Sequence, residues 1–249
     1  MRLVVALLLC AVTGCGRLSF DARSDAARDD SVADALDAPP GLIAWLPLDT
    51  LTTTTPDISG HAHHATCAGA SCPLSIAGHR GGGMRFDGVD DELRIAGTSD
   101  LQTSAGFTIV VWLRVAAFPT TMRACLAQKM LGTMTFDSWE LCVETDGRLF
   151  FYSASDTVDL SITSVGPYQL DRWHQITIVW DGNMKRMYED DAILAGSSNQ
   201  MISFDGNDVV LGRDYDGGSP LSEFAGDLDD FQIYDRALSV PEITQLASQ

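Results

Sequence analysis

Short segments in which apolar residues fall at every second position follow one another along the chain from Leu42 onward. Phe107–Val115 and His174–Asp181 show this period most plainly, and a period of two belongs to a β-strand. Pairs such as Asp146-Gly147 mark turns between the segments. The predicted strands are Leu42–Leu48, Gly83–Phe86, Glu92–Ile95, Phe107–Val115, Arg123–Gln128, Trp139–Glu144, Leu149–Ser153, Asp159–Ser164, His174–Asp181, Lys185–Glu189, Ala192–Leu194, Val209–Gly212 and Asp229–Tyr234.

The same pattern indicates the fold class. Many short strands separated by turns, without a long helical period or an internal repeat, predict an all-β fold in which two antiparallel sheets form a sandwich. A short helical tail from Ser239 to Leu246 follows the last strand. We therefore expect one domain over residues 41–249.

The first residues predict export and lipidation. Arg2 precedes an apolar stretch, Leu3–Val12, that is too short to span a bilayer and fits a signal peptide over residues 1–14. The end of this stretch, Val12-Thr13-Gly14-Cys15, resembles the bacterial lipobox, in which the cysteine is diacylated. Gly16 stands where an Asp would retain the protein in the inner membrane, so the outer membrane is favoured. A plain secretory signal is the alternative.

Residues 15–40 are predicted to be a tether. Acidic and arginine residues are interleaved with Ala and Ser, apolar residues are few, and the stretch ends at Pro39-Pro40. This composition cannot bury enough apolar surface to fold, so we expect disorder. The lipid alone would then hold the domain at the bacterial cell envelope.

Net charge narrows the range of partners. The chain of 249 residues has a formal net charge of −18, and its 16 Lys and Arg residues are scattered. Nucleic-acid binding requires clustered basic residues and is therefore excluded. The partners that remain are a glycan, an envelope or extracellular protein, and the membrane through the lipid anchor.

Five motifs in order resemble the laminin G-like, concanavalin A-type jelly roll. They are Asp57–Gly60, Gly83–Asp91, Phe107–Arg114, Trp173–Gly182 and Gly226–Leu238. The resemblance covers about residues 42 to 246 and implies a jelly-roll sandwich. One departure is Asp190-Asp191, where the family usually has Asp-Gly. Because a two-residue turn with positive φ is strained without Gly, we expect a longer turn there.

The resemblance also implies a structural calcium ion, because the family architecture brings three acidic segments to one end of the sandwich. Ca²⁺ prefers carboxylate and carbonyl oxygens. In the last strand we favour Asp229 over Asp230, since Asp229 has the same parity as the inward Phe231. The alternative is a set of solvated turn aspartates. The candidate ligands are Asp57, Asp90, Asp91 and Asp229.

Four cysteines remain once Cys10 in the signal and Cys15 at the lipid are set aside. An even number in an exported domain predicts disulfides. Three pairings are possible, and the local one, Cys67–Cys72 with Cys125–Cys142, is favoured because each pair lies in one loop or in consecutive strands. The alternative is a zinc site built from Cys67, Cys72, His61, His63 and His64.

No catalytic motif is apparent. Glucanases of the superfamily carry three acids as Glu-x-Asp-x-x-Glu on one strand. Here Glu140, Glu144 and Asp146 come closest, and the spacing lacks the third acid. The chain also lacks a Gly-x-Ser-x-Gly elbow. We expect a protein that is not an enzyme, with a glycan-active hydrolase or lyase as a remaining alternative.

Glycan binding is the favoured function, and protein binding or adhesion at the envelope is the alternative. Glycan sites pair an aromatic ring with polar groups. Trp45, Trp112, Trp173 and Trp180 occupy family core positions. The aromatic candidates for a ligand site are therefore Trp139, Tyr168 and Tyr215.

Replacing Cys15 with Ala should abolish incorporation of labelled palmitate into the full-length protein in a bacterial host, because this thiol accepts the lipid. Cys10→Ala is the matched control, since Cys10 lies within the apolar stretch of the signal. Equal labelling of the unaltered protein and the Cys15→Ala variant would contradict the prediction that Cys15 carries a lipid anchor.

Overall fold

The computed structural model describes residues 38–132, 136–154, 159–198 and 202–249. The predicted signal peptide, the lipidation site Cys15 and most of the predicted tether lie outside these residues. Among the described residues, no helix has the length and apolar character needed to cross a bilayer.

Strands account for about half of the described residues, and one α-helix follows the last of them. The strands are β1 (Leu42–Leu46), β2 (Thr54–Thr55), β3 (Ala65–Thr66), β4 (Leu74–Ala77), β5 (Gly82–Asp87), β6 (Leu93–Ile95), β7 (Phe107–Arg114), β8 (Ala124–Leu131), β9 (Phe136–Val143), β10 (Arg148–Ala154), β11 (Asp159–Pro167), β12 (His174–Trp180), β13 (Met184–Glu189), β14 (Ala192–Ser198), β15 (Val209–Leu211), β16 (Asp214–Asp216), β17 (Ser219–Leu221) and β18 (Ala225–Tyr234), and the helix is α1 (Val240–Ala247). Each segment that the sequence predicted to be a strand overlaps one, whereas β2, β3, β4, β16 and β17 were not predicted.

Two antiparallel sheets form the body of the domain. The first sheet has the order β14-β13-β12-β7-β18-β5-β4, with β1 also paired to β18. The second has the order β11-β10-β9-β8-β15-β6-β3-β2. Strands β16 and β17 form a separate hairpin. This arrangement confirms the all-β, two-sheet antiparallel sandwich.

The core lies between the inner faces of the two sheets. Phe107 of the first sheet stands 6.5 Å from Trp139 and 6.4 Å from Phe151 of the second, measured between ring centroids. Trp139 is 2% exposed because it shares the inward face of β9 with Leu141 and Val143. The prediction that Trp139 presents a ligand platform is therefore wrong.

Tyr168 is also buried, with 3% of its surface exposed. Its hydroxyl lies within hydrogen-bonding distance of the carbonyl oxygens of Leu113 and Arg172, which ties the segment after β11 to the first sheet. The ring and the hydroxyl are both occupied by the protein. The prediction of a ligand-binding role for Tyr168 is wrong as well.

A bulge in β18 changes the face on which its acidic residues lie. Leu228 pairs with the core residue Leu113, but the register shifts between Asp229 and Gln232, and Asp230 has a φ of 47°. Leu228 and Phe231 consequently both enter the core, although they are three residues apart. Asp229 therefore lies on the outer face, and the parity argument that placed it with Phe231 is wrong.

Both disulfides join the cysteines that the sequence paired. Cys67 is bonded to Cys72 and Cys125 to Cys142, with Cα atoms 5.1 Å and 3.9 Å apart. The second bridge closes a loop of about 18 residues, which is worth about 3 kcal/mol in the chain-entropy model. Because the thiols are consumed, the zinc alternative built on Cys67 and Cys72 is wrong.

The turn between β13 and β14 has two residues, not the longer turn that the sequence predicted. Asp190 has a φ of 55° and its backbone N–H donates to the carbonyl oxygen of Gln175. Its carboxylate accepts from the Gln175 N–H at 3.0 Å and lies 3.1 Å from Nδ1 of His174. Asp tolerates the left-handed region better than most residues, and these contacts hold it there.

Helix α1 confirms the predicted helical tail and covers part of the first sheet. Ser239 and Glu242 form a capping box at its start. Ile243 and Leu246 are buried in an apolar cluster with Val110 of β7, on the face of the sheet opposite the core.

Candidate functional site

Three buried acidic residues lie together on the outer face of the second sheet. Because Trp139 and Leu141 point into the core, Glu140 between them points outward. Gln128 of β8 pairs with Glu140 and shares this face. The hairpin β16–β17 packs against the same face, since the Tyr215 N–H and the Asp214 carboxylate both lie within hydrogen-bonding distance of the Gln128 amide.

Asp137, Glu140 and Asp214 form what we call the acidic cluster. Each contributes a carboxylate oxygen, and these oxygens all lie within 4.8 Å of one another. In a regular strand Asp137 and Glu140 would face opposite sides, because they are three residues apart. A register shift between β8 and β9 leaves Ser138 without a partner and turns Asp137 to the outer face.

Burial and mutual repulsion raise the pKa of all three carboxyl groups. Burial, followed by the charges of Asp214 and Glu140, raises the pKa of Asp137 to about 9. Burial and the charge of Asp214 raise the pKa of Glu140 to about 7, and the Arg123 guanidinium at 3.1 Å opposes this rise. Burial also raises the pKa of Asp214, which is hydrogen-bonded to Asp137. Like charges this close cannot all ionise unless a cation joins them.

The side-chain amide of Gln128 completes the cluster. One of its terminal atoms lies 2.5 Å from Oδ1 of Asp137 and 3.0 Å from Oδ1 of Asp214. As a nitrogen, this atom donates to both carboxylates. In the same orientation the amide oxygen accepts from the Tyr215 N–H at 3.1 Å. Turned the other way, the amide would present its oxygen to a cation held by the carboxylates.

The cluster offers the type of ligand that calcium binds. Ca²⁺ takes six to eight oxygens at about 2.3–2.6 Å, so ligands on opposite sides of the ion stand about 4.8 Å apart. Asp137, Glu140 and Asp214 offer carboxylate oxygens within that span, and the Gln128 amide lies beside two of them. Waters would supply the remaining ligands.

Tyr215 lies next to the cluster on β16 and is partly exposed. The Arg94 guanidinium lies over its ring, 4.7 Å from the centroid, and its hydroxyl lies 2.5 Å from a Glu92 carboxylate oxygen. Glu92 also accepts from Arg94 at 2.8 Å. Of the three aromatic candidates from the sequence, Tyr215 is the one at the surface beside polar groups.

The structure separates the four calcium ligands that the sequence proposed. Asp57 has both carboxylate oxygens occupied by its own loop and by β1. Oδ1 accepts from the N–H groups of Trp45 at 2.8 Å and Ser59 at 2.9 Å, and Oδ2 accepts from the His63 N–H at 2.9 Å. Trp45 also links this loop to β18, because its indole N–H donates to Asp230 at 2.8 Å.

Asp229 is fully buried beneath the turn between β4 and β5. Its Oδ2 accepts from the N–H groups of His79 at 2.7 Å and Arg80 at 3.0 Å, while Oδ1 has no hydrogen-bond partner among the described residues. Burial, followed by the charge of Asp230, raises the pKa of Asp229 to about 8. Asp229 is not grouped with another proposed ligand in the part of the chain that the structure describes.

Asp90 and Asp91 do lie together, but with Asp87 instead of Asp57 or Asp229. The Asp87 N–H donates to Asp91 at 2.8 Å, and the Ser71 hydroxyl donates to Asp90 at 3.2 Å. This second acidic group lies in a turn that its own N–H groups stabilise. The sequence therefore identified acidic turns correctly but did not find the acidic cluster, whose members come from β9 and β16.

A cavity of about 540 Å³ lies elsewhere on the first sheet. Its polar lining includes Arg85 and Arg114, which both donate to the buried carboxylate of Asp227. The Arg114 guanidinium also lies 4.7 Å from the centroid of Trp173. Both guanidinium groups are engaged with one carboxylate, so this cavity is a weaker candidate than the acidic cluster.

The raised pKa values predict that, in the presence of a chelator, the free energy of unfolding falls as the pH rises from about 5 to 8. Asp137, Glu140 and Asp229 keep protons in the folded state that the unfolded chain loses near pH 4. The stability that these protons contribute is fully present below the pKa of each group in the unfolded chain. It is lost as the pH rises through the pKa of the same group in the folded protein. Each group contributes at most about 1.4 kcal/mol per pH unit.

Urea unfolding at several pH values measures this slope. Asp137→Asn should flatten it, because the amide does not titrate, whereas the control Asp90→Asn should leave it unchanged. A free energy of unfolding that rises over the same range would contradict the assignment of protons to these carboxyl groups.

Solved structures of low sequence identity share the fold. The first is the binding domain of Paraclostridial Mosquitocidal Protein 1, which has 16% identity and a TM-score of 0.67, with 83% of this chain covering 52% of that one. The second is domain 4 of AbnA, a GH43 extracellular arabinanase from Geobacillus stearothermophilus, solved in complex with arabinotriose. It has 16% identity and a TM-score of 0.66, and 83% of this chain covers 98% of that domain.

A Trypanosoma rangeli sialidase has 16% identity and a TM-score of 0.64, with 84% of this chain covering 32% of that one. The chain thus spans about half of the mosquitocidal binding domain and a third of the sialidase. A search of curated proteins finds no match. The sequence model of the laminin G-like family described as the Concanavalin A-like lectin/glucanases superfamily matches residues 87–244, which is more than half of the chain. The jelly-roll resemblance is confirmed, and this chain belongs to that family.

Proposed function

We propose that this protein is a calcium-dependent, non-catalytic glycan-binding module that a lipid anchor displays at a bacterial cell envelope. The observation that carries the proposal is the acidic cluster, in which three buried carboxylates and an amide converge beneath the hairpin that presents Tyr215. The family and the binding domains among its structural neighbours support a binding module.

Calcium would act by fixing the hairpin β16–β17 to the second sheet. A two-stranded hairpin is marginally stable alone, so its position depends on what it contacts. Asp214 belongs to the hairpin, whereas Asp137 and Glu140 belong to β9. An ion shared by these residues replaces their repulsion with attraction and holds β16 against the sheet.

The surface beside this ion has the composition of a sugar site. Such sites place an aromatic ring near polar groups that fix the orientation of the ligand. Tyr215 supplies the ring, and Arg94 and Glu92 supply a donor and an acceptor next to it. The AbnA domain was solved with arabinotriose, so a neutral oligosaccharide is the class of ligand to test first.

The same geometry favours binding over hydrolysis. A glycosidase needs two carboxyl groups that reach the scissile bond from open solvent. Asp137, Glu140 and Asp214 are 6%, 7% and 9% exposed, so a sugar ring cannot enter between them. Asp146, the nearest match to a third glucanase acid, accepts from Arg148 at 2.7 Å on an exposed turn.

The anchor rests on the lipobox and on Cys15, with the outer membrane favoured by Gly16. In this proposal residues 1–14 are removed, Cys15 carries the lipid and the following residues to 40 are the tether. One described contact fits the boundary, since the Arg236 guanidinium donates to the Pro40 carbonyl oxygen at 2.6 Å.

Binding of the purified full-length protein to an array of plant and bacterial oligosaccharides tests the proposal. We expect binding with calcium that a chelator abolishes. Asp137→Asn should weaken binding at least tenfold at a fixed calcium concentration, because it removes a ligand of the ion, and Tyr215→Ala should weaken binding without changing calcium affinity. Asp90→Asn, in the other acidic group, is the matched control.

Three results would contradict the proposal. Equal glycan binding with calcium and with chelator would show that binding does not depend on the ion. Capture of a single envelope protein without any glycan binding would favour the adhesive alternative. Hydrolysis of an oligosaccharide that Glu140→Gln abolishes would show an enzyme.

A further inference from the structure

We propose that His61, His63 and Asp100 form a zinc site, distinct from the acidic cluster. Nδ1 of His61 lies 3.3 Å from Oδ2 of Asp100, and Nε2 of His63 lies 2.9 Å from the same oxygen. The three ligand atoms all lie within 4.8 Å of one another. The histidines belong to the loop between β2 and β3, and Asp100 belongs to the loop between β6 and β7.

These distances are close to those of a zinc coordination sphere. Zn²⁺ binds imidazole nitrogen and carboxylate oxygen at about 2.0–2.2 Å, so two ligands of a tetrahedral ion stand about 3.3 Å apart. The two nitrogen–oxygen separations, 3.3 Å and 2.9 Å, therefore require little rearrangement. Each hydrogen bond between an imidazole ring and the Asp100 carboxylate needs a proton on the ring nitrogen. A bound ion would take the place of that proton.

The loop that carries the histidines is held in shape before any metal binds. Oδ2 of Asp57 accepts from the His63 N–H at 2.9 Å, and the Ser59 hydroxyl, which donates to that oxygen, accepts from the His61 N–H at 3.2 Å. Ala62 has a φ of 63°, and the two imidazole rings on either side of it stack with an interplanar angle of 14°. Asp57 is thus a positioning residue for this site.

Asp100 is also oriented by a neighbour. The Thr98 hydroxyl donates to its Oδ1, which leaves Oδ2 for the histidines. A carboxylate oxygen is an ordinary zinc ligand beside imidazole nitrogens.

The ligand types select the ion. Two imidazoles and one carboxylate suit zinc and related first-row ions, whereas calcium takes oxygen ligands. Three protein ligands leave a fourth position for water or for a group from a binding partner. The side chains of His61 and Asp100 are 42% and 40% exposed, so the site can be reached from solvent.

Isothermal titration of the full-length oxidised protein with zinc chloride, in a buffer that contains calcium, tests the site. We expect one zinc ion per chain at this site. His63→Gln and Asp100→Asn should each weaken zinc binding at least about tenfold. His64→Gln is the matched control from the same loop, because a glutamine oxygen can still accept from the Asp57 N–H that the His64 ring now accepts.

Melting curves in chelator show whether each variant is folded. If His63→Gln does not fold, the Asp100→Asn variant tests the site. Zinc affinity should be unchanged in Asp137→Asn, which separates this site from the proposed calcium site. Absence of saturable zinc binding, or the same affinity in the unaltered protein and in both ligand variants, would overturn the proposal.

Discussion

The packing of two apolar sheet faces against each other decides where every charged side chain of this domain can lie. Along a regular strand, alternate residues enter the core, so acidic residues must keep to the other parity. A bulge is the local way to break this rule without breaking the sheet. In β9 it brings Asp137 to the same outer face as Glu140, and in β18 it turns Asp229 outward while Leu228 and Phe231 both stay in the core.

The electrostatic character of the site follows from these placements. Buried carboxylates can be relieved by a proton, a basic side chain or a metal ion. The Asp229 carboxylate accepts hydrogen bonds from two backbone N–H groups, and its pKa is raised. Glu140 accepts a hydrogen bond from the Arg123 guanidinium. Asp137 and Asp214 share a hydrogen bond with each other. A cation would relieve the whole cluster at once, and it would also connect the hairpin to the sheet.

The strands, the helical tail and both disulfides could be predicted because their signals are local or nearly so. The period of two survives in β7 and β12, which pair without a register shift, and Cys125 and Cys142 lie opposite each other in consecutive strands. The site could not be predicted in the same way. Asp137 and Asp214 are far apart in sequence, and parity assigns Asp137 to the wrong face because the bulge at Ser138 leaves no clear sequence signal. The predicted strand began at Trp139, whereas β9 begins at Phe136 and places Trp139 in the core.

Anomalous X-ray scattering from a crystal grown with calcium tests the proposed ion site, because it locates the ion independently of any functional assay. We expect a peak bounded by the carboxylates of Asp137, Glu140 and Asp214, with the amide oxygen of Gln128 turned towards it. A calcium-saturated crystal that lacks a peak at this position, or whose peak lies among Asp87, Asp90 and Asp91 instead, would contradict it.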